Sequence, residues 1–107
     1  VKKLIALLLP VFCATLSCRQ ETEQPSLSDE TLARIMADLY VAEAATNGLG
    51  GYEKDSLTHA YYEQVFEIHG VTKNEYEKNV RLISQNELHI GEVADSAIAI
   101  LKMMNDE

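Results

Sequence analysis

Glu43 lies four residues after Leu39, seven after Met36 and eleven after Leu32, so at helical spacing it shares a face with three large apolar residues. A carboxylate there needs a partner or a position at the rim, because an isolated buried charge is expensive. It can form a structural pair with Arg34, Lys54, Arg81 or a tyrosine hydroxyl, or it can face a ligand. His69 raises the same choice. It follows Val65 by four residues and Tyr62 by seven, on the flank of an apolar arc. At a helix end it can satisfy terminal carbonyls and the helix dipole, or it can join Glu43 in binding or acid–base work. Glu43, His69, Tyr62 and Asp38 form the candidate binding set.

Other chemistry finds less support. Asp55, His59 and Glu63 stand at i, i+4 and i+8, a spacing at which histidine and carboxylates can hold a metal. No second cluster completes them, and His89 stands alone, so a solvated face is expected and no metal. There is no Gly-x-Ser-x-Gly elbow, no phosphate loop and no cysteine after Cys18. A nucleophilic enzyme is therefore not expected, nor is a cofactor.

The elements that must position these residues are helices. Ser28 reads as an N-cap followed by Asp29 and Glu30, with Leu27 and Leu32 at staple spacing. Leu32, Ile35, Met36, Leu39 and Ala42 continue the helix until Asn47-Gly48. Gly50-Gly51 reads as a flexible loop, and a second helix is expected from near Asp55-Ser56 to His69-Gly70. Its inner stripe is Leu57, Tyr61, Val65 and Ile68, widened by Tyr62 and Phe66.

Thr72-Lys73-Asn74-Glu75 is a capping box, flanked by Val71 and Tyr76 at staple positions. Tyr76, Val80 and Ile83 give the third helix a narrow stripe. Asn86 is placed to cap a fourth helix reaching about Met104. After Asp95 that helix is apolar nearly all round, so it is either central or turned toward a partner, with central packing the simpler expectation. Ile98 and Leu101 mark the candidate partner face. No alternating β-type run occurs. The fold class is all-α, a small bundle of three to four helices.

The N-terminus supplies an address. Lys2 and Lys3 precede an uncharged stretch, Leu4–Ser17, that ends at Cys18. A positive end, a short apolar middle and small residues before the cut define a secretory signal. The stretch is too short for a membrane span, which takes about 20 apolar residues. Ser17-Cys18 fits a lipoprotein cleavage site, whereas Thr15 and Leu16 depart from its usual residues. Ordinary cleavage after Ser17 is the rival. Removing the signal leaves Cys18 as the lone cysteine, which acylation accounts for. The expected organisation is a signal peptide over 1–17, a lipidated cysteine and flexible tether over 18–27, and a helical domain over 28–107.

Seventeen acids face nine bases, for a net charge of −8. Loss of Lys2 and Lys3 makes the balance more acidic still. Nucleic acid is excluded as a partner, since phosphate binding needs clustered Lys and Arg.

Three blocks carry a family resemblance: Asp38-Leu39-Tyr40-Val41-Ala42-Glu43-Ala44, the run Tyr61–Thr72 through Val65-Phe66-Glu67-Ile68-His69-Gly70, and Tyr76. Together they resemble the domain of unknown function 4296, found in small lipoproteins of the Bacteroidota. The resemblance covers about Leu27–Leu101 and implies a helical envelope lipoprotein with no assigned activity. The expected protein is an outer-membrane lipoprotein of the bacterial envelope, on its periplasmic or surface face. The acylated Cys18 is expected to tie it to the membrane, and its domain to bind an envelope protein without catalysis. The alternative is a small enzyme or ligand-binding protein that uses Glu43 and His69.

Overall fold

The computed structural model describes residues 23–106. The signal over 1–17, Cys18 and the first part of the tether lie outside the described residues. Helix α1 spans Asp29–Ala44, and the Ser28 hydroxyl caps it by accepting from the Thr31 amide. Helix α2 spans Gly51–His69. It starts one turn earlier than the Gly-Gly pair suggests, because Gly50 serves as the N-cap and Gly51 takes a φ of 61°. That left-handed value is cheap only for glycine, so the pair starts the helix as well as loosening the loop. Gly70, at φ 67°, ends α2 in a left-handed C-cap.

Helix α3 spans Lys73–Ile83 under its Thr72 cap, whose hydroxyl accepts from the Glu75 amide. The Glu75 carboxylate accepts from the Ser26 hydroxyl at 3.3 Å. Helix α4 spans Glu87–Asn105, and Asn86 caps it through the Leu88 and His89 amides. The described chain is thus a four-helix, all-α structure.

Helix α1, and not α4, is the central element. One side of it meets α3 and α4 in a core of Leu32, Ala33, Ala37, Ile83, Val93 and Ala97. Its other side meets α2 in a second core of Ile35, Ala42, Val65 and Phe66. Leu27 and Tyr76 touch both cores, and the Tyr76 ring lies 5.5 Å from that of Phe66. The pattern of large side chains on α1 shows only one stripe. Its second face places Ala33 and Ala37 beside Leu32, and these alanines with Ala97 let the backbones of α1 and α4 approach closely.

Burying small residues against small residues leaves the large ones of α4 outside. Val93 and Ala97 are its only buried residues, while Ile98, Met103 and Met104 are exposed. On α2 the buried arc runs through Val65 and Phe66, and Ile68, expected inside, is exposed. The arc is turned toward Tyr62 and His69, which bond to α1.

Helix directions follow from the paired residues. Asp38 meets His69 and Glu43 meets Tyr62, so α2 runs antiparallel to α1. Asp29 meets His89, and both lie in first turns, so α4 runs parallel to α1. Helix α3 makes the crossover, packing Ile83 and Val80 against Leu32 and Val93.

Candidate functional site

The four candidate binding residues form two separate ties between α1 and α2. The Tyr62 hydroxyl donates to Glu43 Oε2 at 3.1 Å. His69 Nε2 lies 2.7 Å from Asp38 Oδ2, with the imidazole mostly buried. A carboxylate only accepts, so this nitrogen carries the proton. Asp38 and Glu43 are five residues apart on α1, about 7.5 Å of helical rise. Glu43 and His69 therefore bond to different partners and do not form an acid–base dyad. Burial raises the Tyr62 hydroxyl above its ordinary value of 10.0, and the bond to Glu43 and the charge of Glu43 raise it further. Burial also raises Tyr76, with the neighbouring Tyr62 adding to the shift.

The remaining polar candidates sit on the surface. His59 pairs with Glu63 at 3.1 Å, both well exposed, and Asp55 is exposed. Among the described residues no group of three His, Cys, Asp or Glu is placed to hold a metal. Arg34 pairs with Glu30 one turn back, leaving Glu43 to the tyrosine.

Ile98 and Leu101 line an open groove of about 390 Å³ between α1 and α4, with Met36, Tyr40, Ala94 and Ala97. Ile98 is 50% exposed and Tyr40 66%. Tyr40 also lines an adjoining hollow of about 220 Å³ with Glu43, Ala44 and Asn47. Met36, Tyr40, Glu43, Ala44 and Asn47 recur at spacings of three and four, so they share one face of the chain through α1 and just beyond. An apolar groove thus runs into a hollow that contains a carboxylate. A third, shallower hollow lies between α1 and α2, over Val41, Val65 and Ile68.

Three polar residues matter more than their local sequence suggests. Asn79 is 1% exposed and makes three hydrogen bonds. Its Oδ1 accepts from the Leu27 amide at 2.9 Å, and its Nδ2 donates to Ser26 Oγ and to the Glu75 carbonyl. Ser26 and Leu27, read as tether, are thereby fastened to α3. Asn79 falls between Tyr76 and Ile83 on the α3 stripe, and a polar residue on an apolar stripe is the signal that could have found it. Thr46 is fully buried, donates to the Glu43 carbonyl and shares a hydrogen bond with Thr58. His89, solitary in sequence, lies 2.9 Å from both oxygens of Asp29. The Thr46–Thr58 and His89–Asp29 contacts carry no local signal, because in each the partner is brought in by another helix.

Residues 24–107 match the sequence profile of a family described as Domain of unknown function (DUF4296). The chain belongs to this family. The matched DUF4296 segment takes in all four helices and also Ser26 and Leu27, the residues that Asn79 clamps. No curated protein and no solved structure matches the chain. Among the described residues no helix is long and apolar enough to cross a membrane.

Proposed function

We propose that this DUF4296 protein is a non-enzymatic lipoprotein of the bacterial envelope, anchored by acylation of Cys18. Its helical domain docks an envelope protein on the α1–α4 face. The observation that carries the docking role is the open apolar groove over Met36, Tyr40, Ala94, Ala97, Ile98 and Leu101. Exposed aromatic and aliphatic side chains gathered in one groove suit a partner surface better than water. The anchor rests on Lys2 and Lys3, the short apolar stretch after them, and Cys18, the one cysteine left once residues 1–17 are removed. The separation of Glu43 from His69 weighs against the enzyme alternative.

Two measurements test this reading. A photo-crosslinking residue at Ile98 in the envelope-bound protein is expected to yield a discrete adduct with another protein. The same residue at Glu67, exposed on α2, is expected to yield none. Absent or identical adducts at both positions would remove the docking role. A fatty-acid probe is expected to label the chain and to lose that label in Cys18→Ala. Equal labelling of both would remove the anchor.

A further inference from the structure

We infer that the occupant of the α1–α4 groove is an amphipathic helix of the partner that carries a basic residue one turn beyond its apolar stripe. The inference rests on the docking role proposed above and specifies the partner's chemistry. The groove is lined by Met36 and Tyr40 from α1 and by Ala94, Ala97, Ile98 and Leu101 from α4. Small residues where α1 meets α4 leave a trough between the two helices, and a helix fills such a trough with side chains at i, i+4 and i+7. The trough continues along α1 into the hollow of Glu43 and Asn47, with Tyr40 shared between the two. From Met36 to Ala44 the face runs about 12 Å at 1.5 Å per residue, roughly two turns of an occupant, before the turn that holds Asn47.

Charge selects the end group. Among the described residues lining the two cavities, Glu43 is the only carboxylate, and no lysine or arginine joins it. The Tyr62 hydroxyl binds one of its oxygens, Oε2. A guanidinium or ammonium entering beside Tyr40 meets this carboxylate on a chain of net charge −8, whose field favours approach of a cation. A second copy of this chain is the poorer occupant, since it brings the same negative charge to the contact.

The test uses the full chain in detergent and two helical alanine-based peptides. Both carry leucines at i, i+4 and i+7. One has arginine a turn beyond the last leucine, and the other has glutamate there. The arginine peptide is expected to bind more tightly, and its advantage is expected to shrink as salt is raised. Glu43→Gln keeps an oxygen to accept from Tyr62 but removes the charge, and it is expected to cut the advantage by about three- to five-fold, the upper part of the range of an exposed ion pair. Ile98→Asp, at a half-exposed position that leaves the core untouched, is expected to abolish binding of both peptides with helix content unchanged. Equal binding of the two peptides, or indifference to Glu43→Gln, would overturn the basic end group. If the Ile98 crosslink to an envelope protein persisted in that case, the docking role would stand without it. Failure of both peptides together with a dimer that Ile98→Asp dissolves would assign the groove to a second copy.

Discussion

Asn79 occupies a site nearly free of water and satisfies the Leu27 amide, the Ser26 hydroxyl and the Glu75 carbonyl at once. Asn79→Ala strands the Leu27 amide and leaves a small void, so a loss of about 2–3 kcal/mol is expected in urea unfolding. The two histidine–aspartate pairs offer a comparison at the same scale. His69–Asp38 is the more buried pair and His89–Asp29 the more exposed. Double-mutant cycles should return the larger coupling for His69–Asp38, because water competes less for its hydrogen bond. The tyrosines predict an alkaline limit. Tyr62 and Tyr76 hold their protons above the ordinary value of 10.0, chiefly through burial. Their contribution to stability is complete below pH 10.0 and is lost as pH rises through the folded-state values, where the unfolded chain has already released its protons. Urea midpoints should therefore fall above that pH, and fall less steeply in Tyr62→Phe and Tyr76→Phe.

Helix α1 decides the packing of the other three elements. Ile35 and Ala42 pack toward α2, Leu32 joins the core shared with α3 and α4, and Ala33 and Ala37 set the approach of α4. Ala37→Leu adds volume where no space exists and is expected to cost about 1–3 kcal/mol, read as a lower thermal midpoint. The helix ends carry their own share. Thr72→Ala removes the acceptor of the Glu75 amide and should cost about 1 kcal/mol. Serine at the same position should largely restore it, which separates the cap from the threonine methyl. The early start of α2 also belongs to this scale. Its first turn is mostly exposed, so glycine geometry at Gly50 and Gly51, and not burial, starts it.

The whole molecule presents two contrasting sides. The N-terminal segment is clamped to α3 through Asn79, with a further ion pair between Glu23 and Lys78. The groove lies alongside, between α1 and α4, and extends past Tyr40 toward the C-terminal end of α1. An anchor joined through Ser26 would therefore hold the α3 end toward the membrane and leave the Glu43 end of the groove farther from it. A crosslinker near Asn47 is accordingly expected to react with protein in preference to lipid, and a crosslinker at Glu23 to react with lipid the more readily of the two. This contrast can be scored in envelope vesicles.

Much of this protein is written in short-range pattern. The caps at Ser28, Thr72 and Asn86, the stop at Gly70 and the stripes of α1 and α3 depend on neighbours within a turn or two, so they are legible from residue types and spacing. Candidates Tyr62, His69 and Glu43 are recognisable because they sit on or beside apolar arcs, whereas Asp38 belongs to a block that carries the family resemblance. A tyrosine hydroxyl is among the partners that residue types offer Glu43, and Tyr62 supplies it. Which tyrosine does so, and the Asp38–His69 tie across 31 residues, depend on how α2 lies against α1. Local pattern also pointed to α4 as the central helix, because hydrophobicity counts large side chains. The structure centres on α1 instead, since close packing rewards fit, and three alanines let α4 approach only along a narrow seam. That choice leaves Ile98 and Leu101 beside an open groove.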